Sequence, residues 1–121
     1  MLTGIKVLLT EDQVINQEIF QDILEGSGIN IDIASNGKEA VEKSRSNDYT
    51  MIIMDIEMPI MNGYEATKII RTENSSIPII ALTSNSSKED RLKTKAIGMN
   101  EHLSKPIEAK ILYQTFSKYL N

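Results

Sequence analysis

The sequence predicts an α/β protein in which helices cover both faces of a parallel five-stranded sheet. Three observations support this prediction. Strand-like and helix-like segments alternate strictly along the 121 residues. No polar stretch between them is long enough to be a linker. Three strand-like segments, around residues 7, 53 and 80, are unbroken apolar runs, as expected for strands that helices cover on both sides.

In the first part of the chain each predicted element has its own local signal. Residues 5–9 form an apolar, strand-like run. From residue 14 to about residue 25 apolar side chains recur at helical spacing, and two glycines then end the helix. Residues 29–33 alternate apolar and polar side chains, which is typical of a strand with one buried face. A second helix is predicted from residue 37 to about residue 45.

The middle of the chain contains the most apolar strands. The third strand, residues 51–54, has no polar residue and stops abruptly at Asp55. After a turn, Asn62 lies near the start of a helix predicted over residues 64–71. Residues 77–82 form the next buried strand.

The remaining elements complete the sheet. A very polar helix over residues 88–97 ends at Gly98, which suits the C-cap region. Residues 101–104 form a short strand, and the last helix is predicted to pack through Ile107, Ile111, Leu112, Phe116 and Leu120. The alternating second strand belongs at an edge of the sheet and the apolar strands at its centre. A flavodoxin-like, doubly wound (βα)5 sheet of strand order 2-1-3-4-5 meets both requirements, in one domain over residues 1–121.

The composition narrows the function classes. Because cysteine is absent, disulfides, thiolate zinc sites and cysteine nucleophiles are excluded. A formal net charge of -4 disfavours binding to nucleic acid through the overall field. No apolar run has the length of a membrane span, and the N-terminus lacks a signal pattern. We therefore expect a cytoplasmic domain that contacts neither nucleic acid nor a membrane.

Chemically active side chains follow four of the five predicted strands. Ligands of a doubly wound sheet bind beyond the carboxyl ends of its strands, where the strand order reverses. The residues at these ends are Glu11, Asp12, Asp55, Thr83, Ser84 and Lys105. Three carboxylates at one rim repel each other unless a cation joins them, and Mg²⁺ is the abundant ion that suits oxygen ligands.

Such a rim is equipped for phosphoryl transfer. A metal ion and Lys105 would stabilise the equatorial phosphoryl oxygens while Asp55 attacks in line, and Thr83 would donate to the product. Taken singly, most of these residues have ordinary explanations: Asp12 as a helix N-cap, Thr83 as a turn residue and Lys105 as a solvated lysine. Asp55 fits such an explanation poorly because it directly ends an apolar strand. Complementary groups at four strand ends favour one common site.

Four segments resemble the receiver domains of response regulators. They are LTED at 9–12, MDIEMPIMNG at 54–63, ALTS at 81–84 and LSKP at 103–106. Their order and spacing match the family over essentially the whole chain. The resemblance implies that Asp55 accepts a phosphoryl group from a phosphohistidine, beside Mg²⁺, and that this changes the contacts with partners. It implies these metal ligands, direct or through water: Glu11, Asp12, Asp55 and the backbone carbonyl of Glu57.

The resemblance also implies partners and further site residues. Thr83 and Lys105 would contact the phosphoryl group, and the Lys105–Pro106 bond would be cis. The family catalyses its own phosphorylation and dephosphorylation. The donor would be a histidine kinase or a histidine phosphotransfer domain that docks near Ile15 and Ile19. The chain itself would be a monomer or a weak dimer. The alternative explanation of these two isoleucines is that they belong wholly to the core.

Residues 58–71 and 101–107 are most similar to the receivers of hybrid sensor histidine kinases. The parent protein is therefore expected to be such a kinase, with this domain in its cytoplasmic part, while a stand-alone response regulator stays open. The polar helix that carries Lys88, Arg91, Lys93 and Lys95 corresponds to part of the surface that, in this family, changes conformation on phosphorylation. Solvation alone explains a row of lysines equally well.

Four positions depart from the family or tune it. The switch position, three residues before the lysine, carries His102 instead of the usual tyrosine or phenylalanine, so switching could depend on pH. The ordinary alternative is an exposed histidine without a role. Glu57 and Asn85 lie where the family sets the lifetime of the phosphate, and Ser84 lies where it often has alanine.

Three other functions have partial support. A haloacid-dehalogenase-like phosphatase also uses an aspartate nucleophile, but on the first strand of a larger fold, whereas Asp55 follows the third. A flavin protein shares the fold, but the first loop lacks a phosphate cradle and tryptophan is absent. A pure interaction module would have lost a phosphorylation residue, and here none is missing.

Overall fold

Five parallel strands form one sheet in the computed structural model, which describes residues 4–84 and 87–119. The strands are β1 (Lys6–Thr10), β2 (Asn30–Ala34), β3 (Met51–Asp55), β4 (Ile79–Thr83) and β5 (Glu101–Ser104). The helices are α1 (Val14–Leu24), α2 (Gly37–Ser46), α3 (Gly63–Glu73), α4 (Lys88–Ala96) and α5 (Ala109–Tyr119). The strand order is β2-β1-β3-β4-β5, which confirms the predicted fold. No helix among the described residues is both long and apolar enough to span a bilayer.

The burial of the strands follows their sequence patterns. Every residue of β3 and β4 is buried, whereas β2 lies at an edge and buries only Ala34. One core, with side chains of α2 and α3, covers one face of the sheet, and another, with side chains of α1 and α5, covers the other. The prediction of central and edge strands is therefore confirmed, because only strands apolar on both faces are covered twice.

Local signals position the helix ends. The Asn62 side chain accepts from the Glu65 N–H at 2.9 Å, and the Glu65 carboxylate accepts from the Asn62 N–H at 3.2 Å. This reciprocal capping box starts α3 at the end of the loop that follows β3. Asn36 caps α2 in a similar way, at 2.8 Å from the Glu39 N–H. Gly98 follows α4 with a φ of +101°, a conformation that favours glycine.

Most element boundaries lie within one or two residues of the predictions, and the start of β4 has a clear physical reason. The fourth strand was predicted from Ile77, but β4 begins at Ile79 because Pro78 has no N–H for the ladder. The carbonyl of Pro78 still accepts from the Ile52 N–H at 2.9 Å.

The last helix was predicted to use Ile107 and Ile111 as packing residues. Instead α5 begins at Ala109, Ile107 is half-buried before it, and Ile111 is 44% exposed. Its buried side chains are Leu112, Thr115 and Phe116, and Leu120 lies outside the described residues. The prediction for Ile111 was wrong because the buried face of α5 is narrower than its apolar pattern.

Candidate functional site

The strand register brings the predicted carboxylates together. Thr10 of β1 is opposite Met54 of β3, so Glu11 and Asp55, the next residues on each strand, lie side by side. Both side chains are buried, with Glu11 0% and Asp55 2% exposed. Carboxylate oxygens of Glu11, Asp12 and Asp55 lie within 4.8 Å of one another. The sheet thus holds three acids in one small volume beyond its carboxyl edge.

Lys105 is the cation of this cluster. Its Nζ lies 2.8 Å from Asp55 Oδ2 and 3.1 Å from Glu11 Oε1. The backbone helps to place it, since the Lys105 N–H donates to the Thr83 carbonyl at 2.9 Å. The Lys105–Pro106 bond is cis, as expected. The lysine therefore contacts two of the three carboxylates directly.

The electrostatics of the cluster show an excess of negative charge. Burial and the neighbouring Asp55 raise the pKa of Glu11 despite the opposing effect of Lys105. Burial and the nearby Glu11 likewise raise the pKa of Asp12. Burial alone would lower the pKa of Lys105, but its pairs with Asp55 and Glu11 outweigh burial and raise it. A hard cation with oxygen ligands fits this site, because it would relieve the repulsion that one lysine leaves.

The loop after β3 fixes the orientation of Asp55. The Glu57 N–H donates to Asp55 Oδ1 at 3.1 Å, while the Glu57 side chain is exposed. The Gly63 N–H donates to the Ile56 carbonyl at 2.9 Å, which closes the loop at its base. A Cβ on Gly63 would lie 2.2 Å from the Asp55 carbonyl oxygen. Glycine is therefore required where α3 starts against the backbone of Asp55.

The end of β4 supplies the hydroxyl residues. Leu82 is opposite Asp55 in the register, so Thr83 follows one position beyond the acid. Thr83 is 5% exposed, and the adjacent Ser84 is exposed. Asn85 lies outside the described residues. Thr83 thus lies at the same edge as the carboxylates, with Ser84 at the solvent side.

His102 is half-buried on β5 and contacts α4. Its Nε2 is hydrogen-bonded to Thr94 Oγ1, and the Thr94 hydroxyl also donates to the Arg91 carbonyl at 3.0 Å. The Thr94 hydroxyl therefore contacts both the Arg91 carbonyl and the imidazole, and the tautomer of His102 decides which partner donates in the second contact. His102 Nδ1 is buried without a hydrogen-bond partner in the described structure. Burial, and to a smaller extent the charge of Arg91, lower the pKa of His102. His102 is therefore not the exposed histidine of the ordinary alternative, and it is harder to protonate than a free imidazole.

Helix α1 presents apolar side chains next to the acidic cluster. Val14 and Ile15 are each 63% exposed and Ile19 is 38% exposed, so the two isoleucines do not belong wholly to the core. Ile19 lines one small crevice together with Glu11 and Lys105. Helix α1 therefore offers apolar side chains to solvent beside the buried charged site.

The basic helix α4 is largely exposed to solvent. This agrees with the alternative explanation of its basic residues, that they are simply solvated. Lys88, Arg91, Lys93 and Lys95 are all exposed. Lys93 Nζ lies 4.3 Å from the centre of the Tyr64 ring, which links α4 to the first turn of α3.

Sequence reasoning missed Ile60, in the loop after β3. It is the only non-glycine residue with a positive φ among the described residues, at +71°, and it is 78% exposed. The signal available in the sequence was Pro59, because a residue after proline in a tight turn often takes a positive φ. The apolar β-branched side chain pointed instead to ordinary backbone geometry.

The fold and the acidic cluster define a doubly wound α/β protein. Its cation-compatible site lies beyond the carboxyl ends of β1 and β3, where the strand order reverses. The model of the response regulator receiver domain matches residues 7–117. The chain therefore belongs to the response regulator receiver family.

Relatives and solved structures agree with this membership. The chain is 42% identical to hybrid signal transduction histidine kinase B of Dictyostelium discoideum, covering 96% of this chain and 7% of that protein. It thus spans only a small part of such relatives. It is 32% identical, with a TM-score of 0.89 and 98% coverage of both chains, to a sensor histidine kinase receiver domain of Pseudomonas aeruginosa with magnesium in its active-site cleft.

A third match is to a complex. The receiver domain of Ssk1 from Saccharomyces cerevisiae, crystallised with the histidine phosphotransfer protein Ypd1, is 31% identical with a TM-score of 0.91. The match covers 98% of this chain and 90% of that one.

Proposed function

We propose that this chain is the phosphoacceptor of a phosphorelay and that Asp55 accepts the phosphoryl group from a phosphohistidine. One observation carries the proposal: a buried aspartate ends a central strand, with Lys105 Nζ at 2.8 Å and two further carboxylates within 4.8 Å. Three acids near one lysine leave negative charge without a partner, and uncompensated charge in a buried site is costly. The arrangement is suited to a cation and an anionic substrate.

The cation we propose is Mg²⁺. Glu11, Asp12 and Asp55 would hold it, together with the backbone carbonyl of Glu57, directly or through water. The raised pKa values of Glu11 and Asp12 support a divalent cation here, because metal binding would stabilise their charged forms. When bound, Mg²⁺ supplies positive charge beside the phosphoryl oxygens.

The residues of the chain perform the transfer. A carboxylate oxygen of Asp55 forms the new P–O bond while the P–N bond to the donor imidazole breaks, and the electron pair stays on that nitrogen, which takes up a proton from water. The Lys105 ammonium pairs with one phosphoryl oxygen, and the Thr83 hydroxyl donates to another. Orientation comes from the Glu57 N–H on Asp55 Oδ1 and from the packed start of α3.

The donor, in this proposal, is a histidine kinase or a histidine phosphotransfer domain that docks on α1 around Ile15 and Ile19. The exposure of these two side chains and the crevice that joins Ile19 to Lys105 support this location. The parent protein is proposed to be a hybrid sensor histidine kinase, of which residues 1–121 form a single receiver domain at the cytoplasmic side. The kinases among the relatives support this parent.

We assign regulation to four residues. Glu57 and Asn85 would set the lifetime of the phosphate, Ser84 would leave room for the phosphoryl group, and His102 would transmit the change at the site to α4 through Thr94. The contact of His102 with Thr94 supports the last assignment.

Incubation with acetyl phosphate, read by intact mass, tests the function. The wild-type chain should gain one phosphoryl group with Mg²⁺, and none when the metal is chelated. Asp55→Asn should remain unmodified, while the matched control Asp48→Asn, at an exposed aspartate, should be modified like the wild type. An unmodified wild-type chain, or a modified Asp55→Asn chain, would contradict the proposal.

A further inference from the structure

The loop between β1 and α1 carries two of the three clustered acids, Glu11 and Asp12. Helices α2, α3 and α4 each begin at an N-cap side chain that accepts from a backbone N–H. The N-cap residue of α1 is Gln13, and its side chain makes no such hydrogen bond. Asp12 precedes Gln13, so it does not cap the helix either. The loop is therefore not fixed by a side-chain cap of α1.

A side chain from within α1 holds the loop instead. Gln17 Nε2 donates to the backbone carbonyl of Glu11 at 2.7 Å. Because the partner is a carbonyl oxygen, only the amide nitrogen of the glutamine can make this bond. The Glu11 N–H donates to the Ala34 carbonyl of β2 at 2.9 Å. The backbone of Glu11 is thus hydrogen-bonded to β2 through its N–H and to α1 through its carbonyl.

The bond from Gln17 fixes the peptide group that joins the two acids. The Glu11 carbonyl belongs to the planar unit between Glu11 and Asp12, so its direction sets how both residues are oriented. Carboxylate oxygens of these residues and of Asp55 lie within 4.8 Å of one another, with one ammonium, that of Lys105, to offset them. Repulsion among the acids favours a wider loop. The neutral amide of Gln17 opposes this widening without adding a charge.

We propose that Gln17 is a positioning residue, which holds the Glu11–Asp12 peptide in the orientation that lets the three acids bind a divalent cation together. The inference rests on the proposed function, in which these acids hold Mg²⁺ beside Asp55. Gln17 acts through the backbone of Glu11, to which it is bonded. Groups that orient metal ligands in this indirect way commonly change metal affinity tenfold or more.

Gln17→Met tests this role, because it keeps the length and the helix propensity of the side chain but removes the donor. The dissociation constant for Mg²⁺, measured from melting temperatures over a range of Mg²⁺ concentrations, should rise about tenfold. The Mg²⁺ concentration that gives half the maximal rate of labelling by acetyl phosphate should rise by about the same factor. The rate at saturating Mg²⁺ should stay within about twofold of the wild type, since the bound cation itself draws the acids together.

Gln21→Met is the matched control, since Gln21 lies one turn further along α1 and is exposed. It should bind Mg²⁺ like the wild type. An unchanged Mg²⁺ affinity in Gln17→Met, or an equal loss in Gln21→Met, would contradict the inference and leave the proposed function intact. A labelling rate that excess Mg²⁺ does not restore would show that Gln17 is merely structural. A wild-type chain that neither binds Mg²⁺ nor is labelled would overturn the proposed function, and the inference with it.

Discussion

Charged groups of opposite character lie toward the two ends of the parallel strands, which are called here the amino edge and the carboxyl edge of the sheet. At the amino edge, Lys6 Nζ lies 3.5 Å from Asp32 and 3.1 Å from the Asn47 side chain, and the Tyr49 hydroxyl donates to Asp32 at 2.8 Å. This group has one cation and one anion, both more than a third exposed. Its charges balance, and its polar side chains are paired with one another by hydrogen bonds and an ion pair.

The carboxyl edge is unbalanced and buried. Glu11, Asp12 and Asp55 lie near one ammonium, that of Lys105, and Glu11 and Asp55 are almost inaccessible to solvent. A balanced, exposed group needs nothing further and contributes modestly to stability. An unbalanced, buried group needs a ligand to complete it, so the carboxyl edge is where a ligand is expected. Matched substitutions at the two edges should therefore differ in effect.

The largest difference is expected between the two lysines. Lys105→Met should reduce the rate of labelling by acetyl phosphate about 100-fold or more, because it removes the cation that neutralises the phosphoryl oxygens. Lys6→Met should leave that rate unchanged and lower the free energy of unfolding by about 1 kcal/mol or less. Rates from intact mass and urea denaturation measure both effects. Equal labelling rates for the two variants would refute a catalytic role for Lys105.

A smaller difference, of opposite sign, is expected between the two acids. Glu11→Gln should raise the free energy of unfolding without metal by about 1 kcal/mol, because it removes a buried excess charge. Asp32→Asn should lower it by about 0.5 kcal/mol, because it weakens an exposed pair. Thermal or urea unfolding in chelator measures both. If Glu11→Gln were destabilising, Glu11 would be a structural residue like Asp32.

The effect of Glu11→Gln should depend on pH in a defined direction. A carboxyl group whose pKa is raised by folding stabilises the folded state below its unfolded pKa, and this stability is lost as pH rises through the folded pKa. The advantage of the glutamine variant should therefore shrink as pH falls from about 7.5 to about 5. Stabilisation of the wild type by Mg²⁺ should shrink over the same range, since protons compete with the metal. A constant advantage across this range would contradict the raised pKa of Glu11.

The smallest expected effect concerns His102, which lies on β5 and contacts α4 instead of either charged group. Thr94→Val should lower the free energy of unfolding by only about 0.5 kcal/mol and change the tautomer balance of His102, because the hydroxyl that contacts Nε2 is lost. Thr115→Val is the control, since the Thr115 hydroxyl donates within its own helix to the Ile111 carbonyl. Nitrogen chemical shifts of the imidazole report the tautomer. Unchanged shifts in Thr94→Val would show that this contact does not hold the ring.

The sequence was sufficient to predict the sheet, because burial on both faces leaves a simple pattern. The apolar runs of β3 and β4 predicted their central position, and Asp55 was identified because its carboxylate interrupts such a run. The register that brings Glu11 beside Asp55 follows from the fold, although the sequence gives no distance. Residues at strand ends were therefore predictable as a group.

Features that depend on packing between elements were not predictable. The exposure of Ile111 depends on the narrow face by which α5 meets the sheet. The contact of His102 is with Thr94, eight residues earlier on another element. The positive φ of Ile60 was missed because its β-branched side chain outweighed the signal of Pro59, and the turn is held by a hydrogen bond from Gly37 at the start of α2.

The identity of the acceptor is tested most directly by reducing the phosphorylated chain with borohydride. Reduction converts an aspartyl phosphate to homoserine at its own position, and tandem mass spectrometry of the peptides locates it. Homoserine is expected at position 55 only, and only when Mg²⁺ was present during labelling. Homoserine at another aspartate, or a labelled chain without homoserine at position 55, would contradict it.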